Sequence, residues 1–294
     1  MPLVHVNPQA WKLNPPQNFK TPKNYIKWNQ LLKLSTFALE TIRLHYQDPK
    51  SFIPEFNSEI GTSLLIVDCI GKSIPPICIS EAFIEALLNT EIKPMEEPHC
   101  ALENFIFLFP LKYSLFSPWK ILEKHHEKVS SFDGNFVAAF VRITGNIIDC
   151  VFRSYNMCSS ATYEWSDPFT NKDTSFDFSE STLEESILFE RLIKNAILAY
   201  TYEPKYVSEE TVSTSTRKGF GKNAEEKTFL PVRWLGKTFQ KQQVKYVYTS
   251  TIDKTNRRTV KSHWRKGHWH TVCSGSKRKQ RHLQWFKPVF VNAD

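Results

Sequence analysis

Apolar and polar positions along this chain recur with different periods, and each period predicts a different element. Tyr25, Trp28, Leu31, Leu32, Leu39, Ile42 and Tyr46 fall at helical spacing between Thr21-Pro22, a capping residue with a first-turn proline, and a stop at Asp48-Pro49. Ser63 to Ile70 is a continuous apolar run closed by Gly71 and reads as a buried strand. Ser80 is placed to cap a short helix with Phe83, Ile84, Leu87 and Leu88 inward, and a proline-studded passage from Glu91 to Cys100 leads to a strand at Phe105 to Phe109. Asn135 to Ile143 and Ile147 to Arg153 flank Thr144-Gly145-Asn146, where glycine followed by asparagine predicts a tight hairpin of type II′ character. Thr182 and Glu185 have capping-box spacing at the head of a helix that runs to about Tyr202, with Leu183, Ile187, Leu192, Ile193, Ala196 and Tyr200 inward and Glu203-Pro204 as its stop.

Residues 205–229 are polar and rich in Ser, Thr, Lys and Glu, as a linker or a long exposed loop would be. Beyond them Leu230 to Phe239, Gln243 to Ser250, His268 to Cys273 and His282 to Phe286 predict strands, with turns at Asp253 to Asn256 and Ser274 to Ser276. The expected fold class is α+β: a mixed α/β amino-terminal domain over residues 1–204 and a small, basic, mostly β module over residues 230–294.

Charge divides the chain in the same region. Residues 217–294 hold 19 Lys and Arg against 4 Asp and Glu, leaving 19 against 26 in residues 1–216, so the formal net charge of +8 joins two halves of opposite sign. Such asymmetry marks one part of a molecule as a surface for nucleic acid or another acidic partner. In the basic part Arg257, Arg258, Lys261, His263, Arg265, Lys266, His268, His270, Lys277, Arg278, Lys279 and Arg281 offer donors to phosphates, and Trp264, Trp269 and Trp285 offer faces for stacked bases. Single-stranded or ribosomal RNA is the ligand this pattern suits. On a strand His268 and His270 point one way and Trp269 the other, so core packing is the competing use of the indoles.

Other chemistries fit less well. The spacing of His263, His268, His270 and Cys273 matches no common zinc module, and no metal or cofactor is expected. His268 and His270 have the chemistry of a general base and acid for RNA cleavage with the 2′-hydroxyl as nucleophile, but binding without turnover is the preferred reading. The phosphate-cradling, zincin and nucleophile-elbow motifs are missing. The apolar runs fall far short of the roughly 20 residues of a membrane span. The amino terminus lacks the order of a secretion signal. Six cysteines without paired CxxC spacing, five of them in or near apolar segments, suggest buried free thiols and a cytoplasmic protein.

The run His263-x-Arg265-Lys266-Gly267-His268-Trp269-His270, followed by Gly275 and by Arg281-x-Leu283-x-Trp285-x-x-Pro288-x-x-Val291-Asn292, resembles one known family. It is the family named after the second inhibitor described against type V-A CRISPR systems, found on phages and plasmids. The resemblance extends more loosely to Leu192 to Pro204, to Val232-x-x-x-Gly236 and to Phe105 to Pro110. It implies an anti-CRISPR that lowers production of the type V-A effector nuclease by recognising its nascent amino-terminal peptide and causing loss of its messenger RNA. The partners so implied are RNA or the ribosome and a nascent polypeptide, of that effector or of another target. Ser262 stands where the family pattern has proline, Lys266 where it has a second arginine, and Val272-Cys273 where it has an aromatic pair. Lysine lacks the guanidinium fork that grips phosphate bidentately.

Overall fold

The computed structural model describes residues 19–35, 57–72, 74–111, 136–155, 158–166, 180–210, 230–240, 243–245 and 263–292. In chain order the described elements are α1 (28–35), α2 (Asn57–Gly71), β1 (Pro76–Ile79), α3 (Glu81–Leu88), β2 (Thr90–Glu91), β3 (Asn104–Leu108), β4 (Ala138–Thr144), β5 (Ile147–Arg153), β6 (Cys158–Glu164), α4 (Glu180–Tyr202), β7 (Val207–Glu210), β8 (Val232–Leu235), β9 (Gln243–Lys245), β10 (His263–Arg265), β11 (Gly267–Ser274), β12 (Gln280–Phe286) and β13 (Val289–Asn292). The chain is α+β, as its patterning predicts. It forms two compact units, each assembled from three stretches: residues 1–79, 102–165 and 209–234 in the first, and 80–101, 166–208 and 235–294 in the second.

The first unit is built on a seven-stranded sheet in the order β6-β5-β4-β3-β1-β8-β7. β1 and β3 run parallel, whereas β3, β4, β5 and β6 form an antiparallel meander. Thr144 pairs with Ile147, so Gly145 and Asn146 alone make the turn, and only Gly145 has positive φ, at 60°. That is the type II′ combination the sequence predicts. α2 packs on β3 to β6 and buries Leu65, Ile66, Cys69 and Ile70 in a core with Trp28, Leu31, Ile106, Phe140 and Val151.

Two expectations change here. Ser63 to Ile70 is helical, not a strand, because an unbroken apolar run carries no period and α2 is buried around most of its circumference over these residues. Thr21-Pro22 opens a turn instead of the helix: Tyr25 N donates to Pro22 O at 3.1 Å, and helix is described only from Trp28. Tyr25, Trp28 and Leu31 are buried as the stripe requires, while Leu39, Ile42 and Tyr46 lie outside the described residues.

The second unit packs α3 against α4, with two small sheets in the orders β12-β11-β2 and β10-β13-β9. Ser80 sits at the N-cap of α3 but makes no side-chain cap; its Oγ donates to Gly236 O at 2.7 Å. Gly236 is held at φ 78°, and a Cβ there would lie 2.1 Å from Phe83 Cγ, which accounts for glycine at this position. α4 is buried continuously from Leu192 to Ala199 and ends before Glu203-Pro204 as predicted. Within the expected linker, Pro204–Tyr206 is a 3-10 turn and Val207–Glu210 is β7, while 211–229 lie outside the described residues, as does the turn expected at Asp253 to Asn256.

All six cysteines are free, but they are not uniformly buried: Cys158 and Cys273 are exposed. Cys158 begins β6, at the sheet edge, and Cys273 lies in the distal part of β11, on the face where it and Thr271 are exposed.

Candidate nucleic-acid interface

β11 and β12 pair antiparallel from His268 opposite Phe286 to Ser274 opposite Gln280, and β11 runs parallel to β2 through Gly267 and Thr90. This register sets Trp269 across from Trp285 on the inner face, the rings stacked at 6.0 Å and 18°. Both are buried, with 7% and 5% exposure. Each indole has a hydrogen-bond acceptor: Trp269 Nε1 donates to Asn195 Oδ1 at 2.7 Å, and Trp285 Nε1 donates to Thr90 Oγ1 at 3.1 Å.

The same residues finish α3. A helix end leaves four carbonyls without an intrahelical donor. Here Asn89 Nδ2 donates to Glu85 O at 2.8 Å, Thr90 Oγ1 to Ala86 O at 2.8 Å, Asn195 Nδ2 to Leu87 O at 2.8 Å, and Arg191 Nη1 to Leu88 O at 3.2 Å. Asn195 Nδ2 also reaches Thr90 O at 3.0 Å, so its amide is fully used. The hairpin base is thereby fixed to α3 and α4 by buried groups with no slack polar atom among them. Gly267, which starts β11, donates its N–H to Asn89 O at 2.8 Å, and a Cβ on it would lie 2.6 Å from Pro288 Cδ.

The outer face of the hairpin is different. His268 and Phe286 stand side by side with ring centroids 5.1 Å apart and planes 6° apart, and His270 meets Phe286 edge-on at 6.0 Å and 73°. Phe286 remains 44% exposed. At the far end Gly275 to Lys279 form the connection, with Lys277 at φ 57° and Arg278 at φ 54°. Two successive non-glycine residues in the left-handed region cost about 1–2 kcal/mol each. From Gly267 to Lys287 the sequence carries five Lys and Arg, three His and no carboxylate side chain. At the hairpin base Lys266 Nζ contacts Glu91 at 2.7 Å, and this hydrogen bond with the lysine charge holds the Glu91 carboxyl below its usual range, with Arg191 and Lys93 adding to the effect.

Of the residues singled out by sequence, His263, Arg265, Lys266, His268, His270, Lys277, Arg278 and Arg281 are exposed. His263 and Arg265 lie on β10, opposite Val291 and Val289 of β13, and the others lie on or beside the β11–β12 hairpin. Arg257, Arg258 and Lys261 lie outside the described residues, and so does the side chain of Trp264. Trp269 and Trp285 are core: the hairpin needs an apolar inner face, and they form it. Phe286 was missed as a surface aromatic. Alternation in the sequence sets Phe286 on the face opposite Trp285, but that this face is the outer one follows only from the burial of Trp285.

Among the described residues no group of three His, Cys, Asp or Glu is placed to hold a metal ion, and no helix is long and apolar enough to cross a membrane. The chain matches no curated protein and no solved structure. The geometry divides the carboxy-terminal motif into a buried half, Gly267, Trp269, Trp285, Pro288 and Val291, and an exposed half, His263, Arg265, Lys266, His268, His270 and Arg281. The family that this motif resembles is found over the segment that contains it: residues 154–293 match the model of the AcrVA2-like family, anti-CRISPR type V subtype A2.

Proposed function

We propose that this protein is an inhibitor of the anti-CRISPR kind that acts in the cytoplasm by lowering production of a CRISPR effector, or of another target protein. On this reading it recognises the target's nascent chain and promotes loss of its messenger RNA, with RNA or ribosome contact made through the basic carboxy-terminal module. The β11–β12 hairpin is the observation that carries it: a rigidly based pair of strands with exposed cations and no carboxylate side chain suits a polyanion. The first unit supports peptide recognition, because β6 is the outermost strand of its sheet among the described residues, with Cys158 to Ser160 and Thr162 exposed, and an extended segment can add to the edge of a sheet.

The test is a labelled single-stranded RNA titrated with purified protein across a salt series, with and without chelator, alongside effector mRNA levels in cells that express the protein. Salt-sensitive binding to intact RNA is expected. Arg265→Ala with Arg281→Ala is expected to lower the salt slope by about 1.4, the value for two phosphate contacts on a single strand. Undiminished binding by this double variant would remove the RNA role from these residues. Chelator-resistant cleavage lost on His268→Ala would instead make the protein a metal-independent ribonuclease, a reading favoured only by His268 and His270 sharing one exposed face.

A further inference from the structure

We propose that the outer face of the β11–β12 hairpin holds an unpaired nucleobase, stacked on the His268–Phe286 ring pair. The inference rests on the RNA contact above and specifies it: the RNA must present a single-stranded base at this point, and Phe286 is the residue that receives it.

Three observations converge. Phe286 and Ile147 are the two large hydrophobic side chains exposed among the described residues, at 44% and 39%. The outward direction of Phe286 is fixed, because its neighbour Trp285 is locked inward by the Thr90 hydroxyl and by contacts with Phe83 and Phe239. An exposed benzyl group held out by a rigid strand keeps little conformational freedom to lose on binding.

His268 lies directly across the strand pair with its ring within 6° of parallel, and both side chains are exposed. Offset parallel rings are the geometry in which aromatic groups stack, and a nucleobase extends it with any of its π-faces. His270, edge-on to Phe286, borders the platform and offers a polar ring at its margin.

Charge selects the occupant. A second copy of this chain or an apolar peptide would be drawn to an apolar face alone, but this face continues into a connection carrying Lys277, Arg278 and Lys279, while Arg281, next to that connection, has the register parity of Trp285 on the opposite face. The seven residues from Gln280 to Phe286 span roughly 20 Å of strand, so a nucleic-acid strand lying along the hairpin meets phosphate-binding cations at one end and a stacking surface at the other. Stacking is tolerant of base identity, so little sequence preference is expected.

The experiment compares the full-length protein and its Phe286→Ala, Phe286→Trp and His268→Ala variants by fluorescence anisotropy, using a labelled single-stranded RNA dodecamer and an RNA duplex of equal length. Phe286→Ala is expected to weaken single-strand binding by about 5- to 150-fold, the range for loss of one stacked base, with the salt slope unchanged. Phe286→Trp restores the affinity, His268→Ala weakens it in the same direction, and duplex binding does not respond to any of the three. If Phe286→Ala binds the single strand as tightly as the parent, the platform is wrong while the RNA reading stands. If the parent protein binds neither RNA at low salt, both fall. Sedimentation that shifts from an oligomer to a monomer in Phe286→Ala reassigns the face to a second copy. Should Phe286→Ala melt early, the Phe286→Trp and His268→Ala pair decides alone, and a His268→Ala variant with unaltered binding overturns the proposal.

Discussion

The Trp269 indole donates to Asn195 Oδ1 across 74 residues of sequence, and the same asparagine caps α3 through Leu87 O and Thr90 O. Asn195→Ala would strand a buried N–H and two buried carbonyls at once. The expected cost is about 2–4 kcal/mol, read as a lowered urea midpoint. Trp269→Phe is expected to cost less, and the double variant less than the sum of the two, since each single change orphans the other's partner. Simple additivity in that cycle would show that the pair is not coupled.

Gly236 and Gly267 are expected to resist alanine for different reasons. At Gly236 both the positive φ and the Phe83 ring oppose a side chain, and at Gly267 the obstacle is Pro288 and the Phe286 carbonyl, whose oxygen would be 2.8 Å away. Gly267→Ala should lose about 1–3 kcal/mol by overpacking, and Gly236→Ala more. Wild-type melting temperatures for both would show that the backbone here yields more easily than the contacts imply.

Replacing Lys277 and Arg278 together by glycine is expected to raise stability while weakening RNA binding. The glycines relieve left-handed strain of about 1 kcal/mol each, and two cations leave the hairpin end. A melt and a salt titration of one variant should therefore move in opposite senses. A variant both less stable and weaker binding would assign these side chains to the fold.

Stability should fall at alkaline pH. Burial pushes the Cys69 thiol from its ordinary 9.0 up to about 12, with Asp68 adding to it, and burial followed by Glu97 takes Cys100 to about 11. Cys78 moves up by burial as well, and burial raises the Tyr202 phenol. Each group is neutral in its folded setting, so its contribution is fully present below about pH 9 and is lost as pH rises through the raised values. Urea midpoints should hold up to that pH and decline above it, and Cys69→Ala should flatten the decline. A midpoint independent of pH between 9 and 11 would contradict the burial of these thiols.

Much of this was legible where a period existed. The Gly145-Asn146 turn, the end of α4 at Tyr202, the short helix after Ser80 and the opposed faces of His268 and Trp269 all follow from local spacing. Ser63 to Ile70 was not, because a segment buried around most of its circumference shows no clear period to read. The use of the tryptophans was only half legible: alternation separates Trp269 from its histidine neighbours but does not say which face is inside. That depends on β2 and α4, whose Thr90 and Asn195 are remote in sequence. Phe286 went unnoticed for the same reason, as its outward direction follows from the fixed position of Trp285.

Two of the carbonyls that close α3, those of Leu87 and Leu88, wait for donors made much later. Residues 80–101 are synthesised well before Asn195, and their unit gains its last inner ring only with Trp285. During translation the end of α3 and the Thr90 strand remain without those partners, and contacts of such long sequence separation form late and slowly. A chain cut short before β12 would thus keep the donors of the α3 end but lack Trp285 on the Thr90 hydroxyl and on the Trp269 ring, so maturation of the protein is tied to completion of its hairpin.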